Sequence, residues 1–221
     1  MNKKHQTEDK LMAVYYKAVD FFEENKKHLY IALSIVVLVV AGFILLSNKR
    51  KADNEKAAVE LSKIKDIYAS GNYLQAINGD SLGVSKGLLN LVNEYGSTET
   101  GESAKILLAN CYFNLREFDN AEKYYKDYSG SNLLLKVTSD AGIASVYEAK
   151  NNYEAAAKEF EKAASIDKTN PFIDQYLYYA AKNYYRANNL SESKKILDKL
   201  KNDFPKSKYV TEAEKFKVSL N

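Results

Sequence analysis

Few side chains in this sequence are placed for bond-making chemistry. The 2 histidines, His5 and His28, stand far apart with no neighbouring cluster of acids or thiols, so the spacing supports neither a metal centre nor imidazole acid–base catalysis. Cys111 is the single cysteine, which excludes an internal disulfide and a multi-thiolate metal site. It falls in a helical pattern, where a free thiol serves as a small apolar filler. The stretches GDSLG and YGSTETG lack both the lysine and the preceding strand of a phosphate-cradling loop. Acid pairs such as Glu23 and Glu24 are solvated by default. The reading is therefore a non-enzyme with no cofactor, no metal and no small-molecule substrate.

Binding chemistry is constrained by charge. The chain has 32 Lys and Arg against 29 Asp and Glu, and beyond residue 51 the balance is 23 basic to 24 acidic. That leaves no electrostatic footprint for nucleic acid. Proline is scarce at 2 residues and Trp is absent, while Ala, Leu, Lys, Glu and the 18 Tyr are abundant, which favours an all-α chain.

The first element that must position any binding surface is apolar. Residues 29–47, opening at Leu29 and closing at Ser47, read LYIALSIVVLVVAGFILLS, 19 residues without a charge. At about 1.5 Å per residue a helix of this length spans the ~30 Å hydrocarbon core of a bilayer. A buried core helix keeps a polar stripe and this run has none; a cleaved signal ends at a small-residue site and this run ends in SNKRK. The expectation is a single transmembrane helix in contact with a lipid bilayer. Six basic residues precede it (Lys3, Lys4, Lys10, Lys17, Lys26, Lys27) and six follow closely (Lys49, Arg50, Lys51, Lys56, Lys63, Lys65), so charge leaves the orientation open. Residues 1–28 form an amphipathic segment with Leu11, Met12, Tyr15, Val19 and Phe22 on one face, suited to the membrane interface or to packing on a partner subunit.

Behind the span one pattern occurs three times: a small residue, a Tyr three later, a second small residue nine further on, and a large apolar residue four beyond that. The instances are Ala109, Tyr112, Ala121 and Tyr125; Ala144, Tyr147, Ala156 and Phe160; Ala181, Tyr184, Ser193 and Leu197. Phe118, Tyr153 and Leu190 add an apolar residue three before the second small one. The units are offset by 35 and then 37 residues. Small residues at a crossing let two helices approach while aromatic side chains fill the space beside them, so each unit reads as an antiparallel helix pair. The short segments LREFDN, AKNNYE and ANNLSE would be the turns, with Asn, Asp or Ser capping each second helix. A degenerate unit precedes these, pairing residues 52–69 with 84–95 through a long connection at 70–83. Tyr209, Val210, Ala213, Phe216 and Leu220 mark a closing helix at 208–220. The units run about 52–98, 102–135, 137–170 and 174–207 within a domain at 48–221. No breaker lies between Ser47 and Ser70, so the apolar helix is expected to run on into the first repeat helix.

These residues resemble the tetratricopeptide repeat, and Pro205 sits where that repeat often closes. Lys105, Asp140 and Leu177 stand in place of the first-helix Trp of the family. The layout of the whole chain, an amphipathic N-terminus containing FFEENKKH, one span and a small repeat domain, is similar to that of the bacterial ancillary SecYEG translocon subunit family. The resemblance implies a scaffold that binds proteins or peptides on the face made by its first helices. Carried over by position, the contact residues are Asn110, Phe113 and Asn114, then Ser145 and Glu148, then Tyr178, Lys182, Tyr185 and Arg186. It also implies a single-pass protein of the bacterial inner membrane with a periplasmic C-terminal domain. Its partners would be translocon subunits, periplasmic chaperones or secreted clients, which it would serve as a chaperone-like subunit. A coordinator of envelope assembly or cell division docking one fixed partner, and a cytoplasm-facing adaptor, fit the same residues.

Overall fold

The computed structural model describes the backbone of residues 3–80 and 83–218, and side chains within 12–80 and 83–215. Among the described residues the chain is all-α, with ten helices: α1 (Lys3–Ala69), α2 (Tyr73–Asn78), α3 (Gly87–Tyr95), α4 (Glu99–Asn114), α5 (Phe118–Lys126), α6 (Leu133–Ala149), α7 (Tyr153–Ile166), α8 (Ile173–Arg186), α9 (Leu190–Asp203) and α10 (Lys208–Val218). Two compact units divide it, Met1–Ala52 and Asp53–Asn221, and α1 runs without interruption through the point where they meet.

In the first unit the described structure is helix alone. Its large apolar side chains, from Met12 through Tyr15, Phe22 and Ile31 to Leu46, are exposed. Part of α1 is long and apolar enough to cross a membrane, with none of that stretch buried against protein. A stretch that is apolar all round and unburied is compatible with a single-pass membrane anchor.

The second unit is a stack of helix pairs, α4 with α5, α6 with α7 and α8 with α9. The small residues of the repeat pattern lie where the pairs cross: Ala109, Ala121, Ala144, Ala156, Ala181 and Ser193 are all fully buried. Ser193 also donates its hydroxyl to the Ala181 carbonyl at 2.8 Å, so this serine bonds across the crossing that alanines make elsewhere. Tyr125, Phe160 and Leu197 are buried beside them. Gly142 admits the first of these rings: a Cβ there would stand 2.4 Å from the Tyr125 ring. On α10, Tyr209 and Ala213 are buried against the last pair, while the side chains of Phe216 and Leu220 lie outside the described residues.

Every pair turns in the same way. Gly71, Arg116, Asn151 and Asn188 each have a left-handed φ between 60° and 78°. In each case the following N–H reaches back five residues, Asn72 to Ile67, Glu117 to Tyr112, Asn152 to Tyr147 and Asn189 to Tyr184, which is the Schellman closure of a helix. Capping differs from the sequence expectation. Only Asn189 caps a second helix through its side chain; Asn72, Glu117 and Asn152 do not. Thr98 and Asn132 instead cap the first helices α4 and α6. The asparagines at 151 and 188 serve the left-handed position, which Asn tolerates because its short polar side chain bonds locally.

The degenerate unit departs most from the sequence reading. The connection from α1 to α2 is the ordinary short turn at Gly71, and α2 is the beginning of the second helix, with Ala76 fully buried in the register of Ala121. Where Ser193 and Leu197 are four residues apart, their counterparts Ala76 and Leu88 are twelve apart, so eight extra residues, 79–86, interrupt this helix between α2 and α3. The long connection expected between helices lies inside one of them. Its ends cross at two glycines of positive φ, Gly79 and Gly87, where a Cβ on Gly87 would stand 2.4 Å from the Gly79 nitrogen. Asp80 accepts the N–H groups of Val84 at 3.0 Å and Ser85 at 2.6 Å, and Glu60 of α1 accepts that of Lys86 at 2.7 Å.

Candidate functional site

The first helices of the second unit, the end of α1 followed by α4, α6 and α8, carry the residues that the resemblance singles out. Asn110 is half-buried: its amide donates to the Tyr68 hydroxyl of α1 at 3.3 Å, and its oxygen accepts from the Tyr125 hydroxyl. Burial pushes the Tyr125 phenol well above its usual range, so that hydroxyl stays a donor. Glu148 of α6 accepts from Asn183 at 3.1 Å and from Arg186, both on α8. Arg186 also lies over the Tyr153 ring, 5.3 Å from its centroid. Asn110, Glu148 and Arg186 thus tie successive first helices together.

The others are placed differently. Phe113 packs on Phe118 with centroids 5.6 Å apart, across its own turn, and Asn114 is exposed with its amide on the Asn110 carbonyl. Ser145 donates to the Ala141 carbonyl of its own helix. Tyr178 stacks on Tyr209 of α10 at 5.4 Å. Lys182 and Tyr185 are half-buried.

The places of the missing Trp hold structure that sequence reasoning passed over. Lys105 is buried and donates to Glu102 at 3.1 Å and to the Asp127 carbonyl at 3.0 Å. Burial alone would raise the Glu102 carboxyl, but the Ser129 N–H and hydroxyl and the Lys105 ammonium hold it below the usual carboxylate range. Asp140 is buried and accepts from Lys162 at 3.0 Å, with its second oxygen unpaired among the described residues. Leu177 fills the third place with hydrocarbon. Above Lys105 opens a cleft of ≈ 780 Å³ between α3, α5 and the turn at Gly96, walled by Asn93, Lys123 and Tyr124.

Residues 19–175 match the tetratricopeptide repeat-like domain and residues 175–207 the tetratricopeptide repeat. The chain belongs to the tetratricopeptide repeat-like family. The first match takes in the apolar stretch as well as most of the helix pairs. No curated protein and no solved structure matches the chain. Tetratricopeptide repeat domains are protein–protein interaction scaffolds, and no catalytic family is matched. Consistent with that role, burial pushes the Cys111 thiol of this repeat domain up to about 12, far from the thiolate that nucleophilic chemistry needs.

Proposed function

We propose that this chain is a single-pass, membrane-anchored scaffold of the bacterial inner membrane. Its repeat domain stands on the periplasmic side and binds secreted or envelope proteins, or the chaperones attending them, as an ancillary subunit of the secretion translocon. The observation that carries the reading is the joining, on one uninterrupted helix, of an exposed apolar stretch at residues 29–47 to the first helix of a tetratricopeptide stack. A binding domain fixed in this way stays at the membrane surface, where a segment leaving a channel is at high local concentration.

Within the domain, Phe113, Asn114, Ser145, Lys182 and Tyr185 are the first-helix residues we assign to partner contact. Asn110, Glu148, Tyr178 and Arg186 shape that face by holding its helices together. Protease added to intact spheroplasts should remove residues 52–221; protection of that part would place the domain in the cytoplasm and end the periplasmic reading. Photo-crosslinkers at Phe113 and Tyr185 should capture translocon subunits or secreted chains in cells. Adducts from neither position would exclude the proposed clients.

A further inference from the structure

We infer that the edge of the second unit at which its first helices begin is a lipid-contact surface, setting Leu133, Leu134 and Phe172 into the headgroup region of the bilayer; the inference rests on the reading of residues 29–47 as a membrane anchor. Bonds between elements define that edge. The Thr100 N–H at the start of α4 donates to the Asn54 side chain of α1 at 2.8 Å, one residue past Asp53, where the chain enters the unit. Glu102 of α4 accepts the N–H of Ser129, shortly before α6, at 2.8 Å. Lys162, toward the end of the antiparallel α7, donates to Asp140 in the first half of α6 at 3.0 Å. Ser207, just before α10, donates to Asp174 at the start of α8 at 2.6 Å. The starts of α4, α6 and α8 therefore share the side on which the chain comes in, and the turns at Gly71, Arg116, Asn151 and Asn188 lie on the other.

On this entry edge Leu133 and Leu134, consecutive at the start of α6, are 55% and 51% exposed, and Phe172, just before α8, is 46% exposed. Single surface leucines are common; an adjacent pair and an aromatic ring on one edge mark a surface that something covers. Their turns hold them outward. Buried Tyr128 donates its hydroxyl to the Asn132 carbonyl at 3.1 Å, and the side chain of buried Asn170 accepts the Phe172 N–H at 2.9 Å. Connectivity decides what covers them. Only residues 48–52 separate Ser47, the last residue of the apolar stretch, from Asp53, and in any conformation they reach no further than about 20 Å. The opposite edge lies about 24 Å away across the unit, the length of the 16-residue α4. The entry edge is thus the part of the unit that the tether keeps at the bilayer surface, where apolar side chains leave water for the boundary between headgroups and acyl chains. Exposed Lys168, Lys206 and Lys208 on this edge are matched by exposed Glu99, Asp127 and Asp203, so the contact is apolar insertion rather than attraction to anionic lipid.

The chain has no Trp, so a single introduced Trp reports its own surroundings. Full-length variants Leu134→Trp, Phe172→Trp, Leu115→Trp and Leu33→Trp are reconstituted into zwitterionic phosphatidylcholine vesicles, plain or brominated on the acyl carbons nearest the headgroup, where bromine quenches an indole that touches it. Leu134→Trp and Phe172→Trp should lose fluorescence in the brominated vesicles, as should Leu33→Trp within the apolar stretch. Leu115→Trp, on the turn edge, should not. Adding Leu133→Ser and Leu134→Ser to Phe172→Trp should relieve its quenching, with helical content unchanged by circular dichroism, because the leucines drive the contact. Equal emission of Leu134→Trp and Phe172→Trp in both kinds of vesicle, beside a quenched Leu33→Trp, overturns the lipid contact. So does quenching of Phe172→Trp that survives the serine substitutions, or quenching of Leu115→Trp as strong as that of the entry edge. An unquenched Leu33→Trp ends the anchor reading itself, a separate failure.

Discussion

The Lys105 ammonium lies 3.2 Å from the Asp127 carboxylate, and 35 residues later the same two places hold Asp140 and Lys162, 3.0 Å apart with the charges exchanged. A contact between the two helices of a unit has been kept while its polarity has not. In the third unit those places hold Leu177, which is buried, and Lys199, which is exposed. The places thus accept an ion pair in either sense, or a buried leucine beside an exposed lysine, whereas a buried carboxylate without its lysine is costly. Lys162→Met should leave the buried Asp140 carboxylate with only Lys136, at 3.9 Å, and cost about 1–3 kcal/mol. The double variant Asp140→Leu with Lys162→Met should recover most of the loss, since it removes the buried carboxylate together with its partner. Urea unfolding of the full chain in detergent measures both; equal stability of the single and double variants would refute the argument.

Arg116 occupies a left-handed turn position, φ 63°, that its three counterparts fill with Gly or Asn. A long side chain there carries backbone strain that glycine does not. Arg116→Gly should raise stability by about 0.5–1 kcal/mol, and Gly71→Val at the equivalent turn should lower it. A melting temperature for Arg116→Gly at or below that of the unaltered protein would show that the arginine makes a compensating contact.

Much of this architecture was legible because it depends on residue size at fixed spacing. Ala109, Ala144 and Ala181 are small where the helices cross, and all three are fully buried there. The turns were legible in place but not in mechanism: Asn151 and Asn188 look like caps, and only backbone conformation shows that they are left-handed positions. The break at residues 79–86 was misplaced because Gly71 and Gly79 give the same turn signal, and only the buried register of Ala76 tells which one lies inside a helix. The exchanged ion pairs were present as an equal 35-residue offset, yet lysines and acids at helical spacing read as solvated surface until neighbouring helices bury them. For the first-helix residues, sequence position does not tell which side chains the protein uses for itself, because that depends on partners such as Tyr68 and Asn183, distant along the chain.

Glu122 of α5 gives the fold a pH dependence. Burial would raise its carboxyl, but Lys126 and Lys150, at 2.6 Å and 2.7 Å, bring it down to about 2 from 4.5. A depressed folded-state value means that the contribution is complete above about pH 4.5 and is lost as pH falls toward about 2. The lysines are partly exposed, so the pair contributes only about 1 kcal/mol after screening. Glu122→Gln should flatten the stability profile across that acidic window and change it little at pH 7 beyond a constant offset. An unaltered slope between pH 4.5 and 2 would assign the acid sensitivity to other carboxylates.

The insertion at residues 79–86 should be removable. Gly79 and Gly87 bring its two ends into contact, and α2 and α3 together carry 15 residues, 6 and 9, close to the 14 of the second helices α7 and α9. Joining Asn78 directly to Gly87 places Ala76 and Leu88 four residues apart, the spacing of Ser193 and Leu197. The shortened chain should fold with unchanged or slightly raised helical content, losing the bond from Lys86 to Glu60. Gly87→Ala in the full-length chain should behave in the opposite way, because its Cβ would collide with backbone at 2.4 Å in a left-handed conformation, a loss of about 2–4 kcal/mol. Circular dichroism and thermal melts of the two variants side by side decide the matter: the shortened chain melting cooperatively while Gly87→Ala melts far lower supports an insertion into a repeat helix. If the shortened chain fails to fold, the segment is part of the unit's core rather than an addition to it.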